Sequence, residues 1–289
     1  MSPRKIYTLQ FPGGRTLRLG DRTHVMGIVN VTPDSFADGG LRLDPARAVA
    51  DALAMEADGA DIVDIGGEST RPGAEALPTR EELARVLPVL DGLVGQVRVP
   101  VSIDTYKADV ARAALDRGAS IVNDISGLRY DPTLGGVVAE RGAVLVLMHN
   151  RGRSRNMYRE ATYRVVMEEV SAELTASIDD AVAAGVSRER LILDPGLGFA
   201  KRPDDSSTAL AQLDSLASLD RPLLVGPSRK SFLEAALGKA PPGERDWGTA
   251  AAVTAAVLLG AHIVRVHRVR EMVQVVKVAD LVRRHRLGN

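Results

Sequence analysis

Apolar and polar residues alternate along the chain in a pattern that predicts strands and helices in turn. Short apolar runs rich in valine, leucine and isoleucine, each closed by turn-forming residues, are typical of buried strands. Such runs cover residues 24–29, 61–65, 99–103, 120–124, 143–148, 190–194, 222–226 and 262–267. Longer segments with helical periodicity follow them and predict helices over roughly 45–58, 79–94, 106–117, 132–141, 162–184, 205–219, 247–260 and 270–285.

Turn signals mark the start of the chain and the ends of several helices. The stretch from Ile6 to Leu19 alternates in polarity around a Pro-Gly-Gly turn, which predicts a β-hairpin. Asp44 ahead of a proline is typical of a helix start, and Thr79 followed by Glu82 fits a capping box. Helix stops are predicted at Gly59, Gly118, Gly142 and Gly185.

Eight strand–helix units in succession predict an α/β fold with a parallel sheet inside a layer of helices. Because the strands are apolar and β-branched, closure into a (β/α)8 TIM barrel is favoured. We predict one domain over residues 1–289, with the hairpin at about 6–19 and the barrel at about 24–286. A doubly wound open sheet is the alternative, but it predicts a glycine-rich phosphate turn, and neither GxGxxG nor GxxxxGK[ST] occurs.

Composition and charge exclude several classes of function. Lysine and arginine (37) balance aspartate and glutamate (37), so no overall field favours nucleic acid or an anionic membrane. The absence of cysteine excludes disulfides, thiolate metal sites and a catalytic cysteine. The first residues lack the apolar core of a signal peptide, and the most apolar window, 250–264, is too short to span a bilayer. We expect a cytoplasmic protein with no nucleic-acid or membrane partner.

Polar residues collect where the predicted strands end, which is where barrel enzymes keep their active sites. Seven strands are followed by such residues, among them Asn30, Asp64, Asp104, Asn123, Asp194, Lys230 and Arg265, and the remaining one ends in Met148 and His149. Buried carboxylates that face one another repel unless they bind a ligand rich in hydrogen-bond donors. The acids with Asn123 therefore suit a flat heterocycle with N–H and NH₂ edges.

Cationic residues form a second predicted group. Arg265 and His267 are two positions apart on a strand, so both side chains point the same way. Arg265 and His267, with Arg71 and Lys230 on neighbouring loops, predict a cationic oxyanion site. It lies at the end of the barrel that often binds phosphate. The arginines at 151, 153 and 155 are interpreted as a solvated loop.

These motifs, taken in order, resemble the dihydropteroate synthase family of the pterin-binding barrel superfamily. The matching segments are MGIVNVTPDSFADGG (26–40), DIVDIGGESTRPGA (61–74), VSIDTYKADVARAALDRGASIVNDISG (101–127), LMH (147–149), LILDPGLGFAK (191–201), GPSRKSF (226–232) and RVH (265–267). The resemblance runs from about Leu9 to the C-terminus. NVTPDSF, GGESTRPG and SRK are specific in combination, whereas VND or DPG alone is weak.

The resemblance implies an activity and a set of site residues. The family joins 6-hydroxymethyl-7,8-dihydropterin diphosphate to 4-aminobenzoate, which releases diphosphate and yields 7,8-dihydropteroate for folate synthesis. It assigns the pterin pocket to Asp64, Asp104, Asn123, Met148, Asp194, Phe199 and Lys230. It assigns the diphosphate to Asn30, Thr70, Arg71, Arg265 and His267, with Mg²⁺ at Asn30. It assigns 4-aminobenzoate to Phe36, Arg71, Pro72, Ser228 and Lys230.

The same resemblance predicts how the reaction proceeds. An SN1-like departure of diphosphate from the pterin methylene suits a ring that delocalises positive charge, and Asp104 is expected to stabilise that charge. Lys230, Arg265 and His267 complete the expected catalytic group. Small-molecule substrates, a Mg²⁺ cofactor and a homodimer are the implied partners.

One position departs from the family pattern, and three other functions remain open. The family usually reads RVHDV at the last strand, whereas this chain has Arg268 in place of the aspartate. That change keeps a catalytically altered pterin-binding paralogue in play. A methyltetrahydrofolate-type methyltransferase would share the acidic pocket without needing SRK or RVH. A Schiff-base aldolase would use Lys230 as its nucleophile.

Overall fold

The fold is an eight-stranded parallel barrel, as predicted. The computed structural model describes residues 3–32, 44–71, 73–153, 155–159 and 161–287. The barrel strands are β3 (His24–Asn30), β4 (Ile62–Gly66), β5 (Val101–Asp104), β6 (Ile121–Asp124), β7 (Val144–Met148), β8 (Leu191–Asp194), β9 (Leu224–Val225) and β10 (Ile263–Val266). They pair in the order β8-β7-β6-β5-β4-β3-β10-β9, and a bridge between Leu193 and Leu223 joins the two ends.

Helices separate the strands and form the outer layer. They are α1 (Pro45–Ala57), α2 (Thr79–Leu93), α3 (Ala108–Leu115), α4 (Leu134–Arg141), α5 (Val166–Ala183), α6 (Pro203–Ala211), α7 (Glu234–Leu237), α8 (Asp246–Leu258) and α9 (Val269–Arg286). The predicted helix 205–219 divides into α6 and a 3₁₀ segment, Leu213–Leu219. Among the described helices, none has the length and apolar character that a bilayer span requires.

The two predicted helix starts have different outcomes. Asp44 caps α1, because its Oδ1 accepts hydrogen bonds from the backbone N–H groups of Ala46 (3.0 Å) and Arg47 (3.3 Å). The capping box at Thr79 is wrong, since α2 begins directly after Pro78 and has no side-chain cap. The carboxylate of Glu82 instead pairs with Lys107.

The predicted hairpin closes the amino-terminal end of the barrel. Strands β1 (Tyr7–Gln10) and β2 (Thr16–Leu19) pair antiparallel. Leu9 and Leu19 of these strands and Phe11 of the turn between them are buried and belong to the same apolar cluster as the inward-facing residues of the barrel. We call this apolar end the floor and the opposite end, formed by the carboxyl ends of the strands, the mouth.

Inward-facing side chains two positions apart on the same strand change from apolar at the floor to polar at the mouth. Side chains two apart on a strand point to the same side. The inward-facing isoleucines of four strands are members of the apolar cluster, and each is followed two positions later by a polar residue: Ile62 and Asp64, Ile121 and Asn123, Ile192 and Asp194, Ile263 and Arg265. The strands therefore deliver polar groups to the mouth directly above an apolar interior.

Candidate active site

An arginine bridges two carboxylates at the centre of the mouth. Arg265 donates from Nε to Asp64 Oδ2 and from Nη2 to Asp104 Oδ2, each at 2.6 Å. Asn123 donates from Nδ2 to the same Asp64 oxygen at 3.2 Å. Four predicted site residues, each from a different strand, thus meet in a single cluster. The structure brings together the predicted acids and the predicted diphosphate arginine.

Burial leaves this cluster in need of positive charge or donors. Burial raises the pKa of Asp104 to about 7 even though Arg265 opposes the shift. Burial also raises the pKa of Asp194, whose Oδ1 accepts from the backbone N–H of Gly196 at 2.7 Å. In the described part of the chain, Asp64 Oδ1 has no hydrogen-bond partner. A ligand that presents N–H groups to these oxygens would replace the water they have lost.

Lys230 and Phe199 form one wall of the cluster. The ammonium nitrogen of Lys230 lies 3.7 Å from the centre of the Phe199 ring, which is a close cation–π contact. Burial, with Arg265 acting in the same direction, lowers the pKa of Lys230 to about 8. Phe199 packs in one apolar cluster with Met148, so the two predicted wall residues of the pterin pocket lie together.

A strained turn sets the direction of Lys230. Arg229, the residue before it, adopts a left-handed backbone conformation with φ of 58°. Its guanidinium donates to both carboxylate oxygens of Asp246, at 2.8 and 3.0 Å, and its backbone N–H donates to Thr249 Oγ1 at 3.0 Å. These contacts to α8 hold the strain. In the SRK motif, Arg229 therefore fixes the turn while Lys230 reaches the site.

His267 lies beside Arg265 but is not the cation we expected. Burial, reinforced by Arg229 and Arg265, lowers the pKa of His267 to about 3, so the imidazole is neutral. Ser228 Oγ accepts from the His267 backbone N–H at 3.2 Å and lies 2.8 Å from Nδ1. Asn30 Nδ2 lies 3.5 Å from Nε2 and can only donate, so Nε2 is the acceptor and the ring proton is on Nδ1, toward Ser228 Oγ. The charge prediction is wrong because the ring is desolvated among cations.

The predicted loop residues are only partly described. Phe36 and Pro72 lie outside the described residues. Thr70 and Arg71 lie on the loop after β4, where Arg71 is exposed and forms no ion pair within the described ranges. The hydroxyl of Ser228 is already engaged by His267. Contact of these residues with 4-aminobenzoate stays a prediction.

Sequence reasoning missed a buried lysine beneath the pterin wall. Lys201, 1% exposed, has its Nζ 2.7 Å from His149 Nδ1 and donates to the carbonyls of Gly196 (3.2 Å) and Phe199 (3.3 Å). Burial lowers its pKa to about 7. The lysine thereby ties the turn that carries Asp194 to the end of β7. The signal in the sequence was its position at the end of the matching segment LILDPGLGFAK (191–201), which gave it no role.

Two interpretations of basic residues also change. Arg151 is not simply solvated, since it pairs with Glu169 and Glu173 and stacks 4.1 Å from the ring centre of Tyr163. Arg268, the departure from the family pattern, is exposed and pairs with Glu271 one turn into α9. Among the described residues, no hydrogen bond joins the side chains of Arg268 and His267, and the helix begins without a side-chain cap.

Comparisons with known proteins find similarity over most of the chain. A family model described as "Pterin binding enzyme" matches residues 26–267. A dihydropteroate synthase of Synechocystis sp. is 48% identical over 270 residues, which cover 93% of each chain.

Solved structures show the same similarity. A Xanthomonas albilineans dihydropteroate synthase with 4-aminobenzoic acid is 43% identical, covers 96% of this chain and 98% of its own, and has a TM-score of 0.89. The same enzyme in complex with 7,8-dihydropteroate is 40% identical, covers 95% and 98%, and has a TM-score of 0.84.

Proposed function

The chain belongs to the dihydropteroate synthase family of pterin-binding enzymes, and we propose that it joins 6-hydroxymethyl-7,8-dihydropterin diphosphate to 4-aminobenzoate. The products are 7,8-dihydropteroate and diphosphate, so the protein is a transferase of folate biosynthesis. The observation that carries the proposal is the buried bridge of Arg265 between Asp64 and Asp104. It puts the arginine expected to bind diphosphate against the acids expected to bind pterin.

The pterin binds first in this proposal, through its donor-rich edge. Asp194 and Asp64 accept from ring N–H and NH₂ groups, and Asn123 supplies an amide beside them. Each hydrogen bond to a buried carboxylate is worth about 1.5–3 kcal/mol. Phe199 and Met148 flank the ring, and the cation of Lys230 over Phe199 limits how far that aromatic side chain can move.

Arg265 then exchanges partners. Without substrate it neutralises Asp64 and Asp104, whose charges would otherwise repel one another in a buried site. A diphosphate offers the guanidinium a doubly charged partner with matching geometry. When Arg265 turns toward the diphosphate, Asp104 becomes available to the positive charge that develops on the pterin methylene as the C–O bond breaks. Asp104 is therefore more effective in the transition state than in the free protein.

The other groups at the mouth act on the leaving group and the incoming amine. The diphosphate anion favours the protonated form of His267, which then donates a hydrogen bond to it from Nε2, with Asn30 beside it. The aryl amine of 4-aminobenzoate attacks the methylene carbon and loses a proton to solvent, because it needs positioning more than activation. Closure of the loops that carry Thr70 and Arg71 excludes water, which would otherwise capture the cation as an alcohol.

The donor set fits a magnesium ion that is shared with the substrate. Within the described ranges, no group of three His, Cys, Asp or Glu side chains could hold a metal by itself. Mg²⁺ often binds through one or two protein oxygens together with phosphates and water. We propose that Asn30 contributes its amide oxygen, and the ion, when bound, neutralises part of the charge on the diphosphate.

We also propose a homodimer in the cytoplasm, supported by an apolar face on the side of the barrel. Val278, Leu281 and Val282 of α9 are 62%, 47% and 50% exposed. Val278 and Val282 border a groove of about 380 Å³ between α8 and α9. An uncovered apolar stripe of this kind suits a second copy of the chain. Sedimentation of the purified protein, with Val278→Glu as the disrupting variant, tests the dimer, and cell fractionation tests the compartment.

Release of diphosphate is the direct test of the activity. The purified protein is mixed with 6-hydroxymethyl-7,8-dihydropterin diphosphate, with and without 4-aminobenzoate and with and without Mg²⁺. We expect rapid release that requires both additions and equals the dihydropteroate formed. Binding of pterin without release would identify the altered paralogue instead. Borohydride trapping of a carbonyl substrate on Lys230 would identify the aldolase.

A further inference from the structure

The loop between β4 and α2, residues 67–78, carries Thr70 and Arg71 and is tied at both ends by one side chain. Lys107, which precedes α3, forms ion pairs with Glu68 near the start of the loop and with Glu82 in the first turn of α2. Its third hydrogen bond goes to the carbonyl oxygen of Leu77, near the end of the loop, at 2.6 Å. An ammonium group has three donors, so all of them are used at the base of this loop.

The surroundings make this contact specific. The side chains of Lys107, Glu68 and Glu82 are 12%, 9% and 1% exposed. The second oxygen of Glu68 accepts from Tyr106 Oη at 2.9 Å. Arg85 of α2 donates to the carbonyl oxygen of Gly67 at 2.8 Å. Both flanking segments are thereby attached to the barrel, through Gly67 and Glu68 on one side and Leu77 on the other.

The charge balance shows why the lysine is more than a packing residue. One ammonium faces two buried carboxylates, and burial raises the pKa of Glu82 above its usual value although Lys107 opposes the shift. Removing the ammonium leaves two acids facing one another, and they are expected to push Glu68 and its part of the loop away from α2. Neither acid is among the groups that bind substrate in the proposed function.

We propose that Lys107 is a positioning residue for 4-aminobenzoate: by joining Glu68, Leu77 and Glu82 it fixes the base of the loop that presents Thr70 and Arg71. This inference rests on the proposed function of Arg71. Among the described residues, no hydrogen bond or ion pair joins Lys107 to the pterin cluster, but the charge of its partner Glu82 raises the pKa of Asp104. A small displacement of a positioning loop costs about a hundredfold in rate.

The test separates loop positioning from stability. Lys107→Met is expected to lower thermal stability and to reduce kcat/KM for 4-aminobenzoate by about a hundredfold. Adding Glu82→Gln removes the surplus charge, so the double variant Lys107→Met/Glu82→Gln regains most of the lost stability and keeps the hundredfold defect. The Kd for 6-hydroxymethyl-7,8-dihydropterin, which lacks the diphosphate, stays at the wild-type value in the double variant, because the charges of Lys107 and Glu82 are removed together. Arg117→Met, an exposed residue beyond α3, is the matched control.

Hydrogen exchange gives a readout that needs no substrate. The peptide spanning residues 67–78 is expected to exchange faster in the double variant and close to normally in Glu82→Gln, where Lys107 still joins Glu68 and Leu77. Lys107→Arg, which keeps the charge, is expected to restore slow exchange and part of the activity. Recovery of kcat/KM together with stability in the double variant, or unchanged exchange of this peptide, overturns the proposal. If the wild type releases no diphosphate, the proposed function fails while the exchange result still decides whether Lys107 fixes the loop.

Discussion

At the floor of the barrel, Leu9, Phe11 and Leu19 of the hairpin fill the space between inward-facing isoleucines. At the mouth, two residues further along the same strands, Asp64, Asp194 and other polar side chains are buried beside one another. Apolar burial at the floor stabilises the fold by about 1.5–3 kcal/mol per large side chain. Burial of charge at the mouth opposes folding, as the raised pKa values of Asp104 and Asp194 show.

Stability and function therefore reside at opposite ends of the barrel. A strand reaches from one end of the barrel to the other, and the change from floor to mouth takes a single step of two residues. Apolar burial at the floor offsets the free-energy cost of the desolvated charged groups at the mouth. Substitutions at the two ends of one strand should therefore separate stability from activity.

The largest expected effect is at the mouth end of β8. Asp194→Asn removes the charge from two proposed hydrogen bonds to pterin, at about 2 kcal/mol each, so kcat/KM should fall by about a thousandfold. Stability at pH 7 should rise, because burial raises the pKa of Asp194 and the charged form is unfavourable in the folded state. Steady-state kinetics and urea unfolding measure both quantities. Asp179→Asn, on the exposed side of α5, is the isosteric control, and an unchanged kcat/KM in Asp194→Asn would contradict the pocket.

The floor end of the same strand should behave in the opposite way. Ile192→Ala removes a fully buried side chain and leaves a cavity, so the free energy of unfolding should drop by about 2–5 kcal/mol. The kinetic parameters per folded molecule should stay close to those of the wild type. Urea unfolding and kinetics below the transition check this. A loss of turnover as large as that of Asp194→Asn would show that the two ends are not separable.

The pH dependence of kcat/KM for the dihydropterin diphosphate should report the protonation of Asp104 and Lys230 at the mouth. Asp104 is charged above its pKa of about 7, and Lys230 is charged below its pKa of about 8. Activity should therefore rise through about pH 7, peak, and decline above about pH 8.

Lys230→Arg is the variant that checks this assignment. Arginine does not lose its proton in the accessible range, so the decline above pH 8 should disappear even if the overall rate is lower. Asp104→Asn should remove the rise at lower pH. A profile of Lys230→Arg that still falls above pH 8 would assign that limb to another group.

The smallest expected effect is at Arg268, just outside the mouth. Arg268→Asp places an acid at the start of α9, which has no side-chain cap, and should stabilise the fold by about 1 kcal/mol. The exposed pair with Glu271 is lost, but exposed pairs contribute little. Thermal unfolding measures the gain. A marked change in kcat would show that residue 268 reaches His267 after all.

Much of the architecture follows from local patterns. Val144 to Met148 forms a strand because it is an unbroken apolar run, and Asp44 starts α1 because its side chain satisfies the first backbone N–H groups. The spacing of Ile192 and Asp194, or of Ile263 and Arg265, places polar residues above apolar ones without knowledge of the fold. Such features depend on period and on neighbours within a few residues, which the sequence contains.

Pairings between distant residues required the tertiary structure. The sequence predicted the barrel, its hairpin and the set of polar residues at the strand ends, because hydrophobic periodicity and turn chemistry are local. It did not determine that Arg265 joins Asp64 to Asp104, that Lys107 ties the loop after β4, or that His267 is neutral. Those facts depend on desolvation and on charges brought together from positions up to about 200 residues apart, and only the closed barrel sets both.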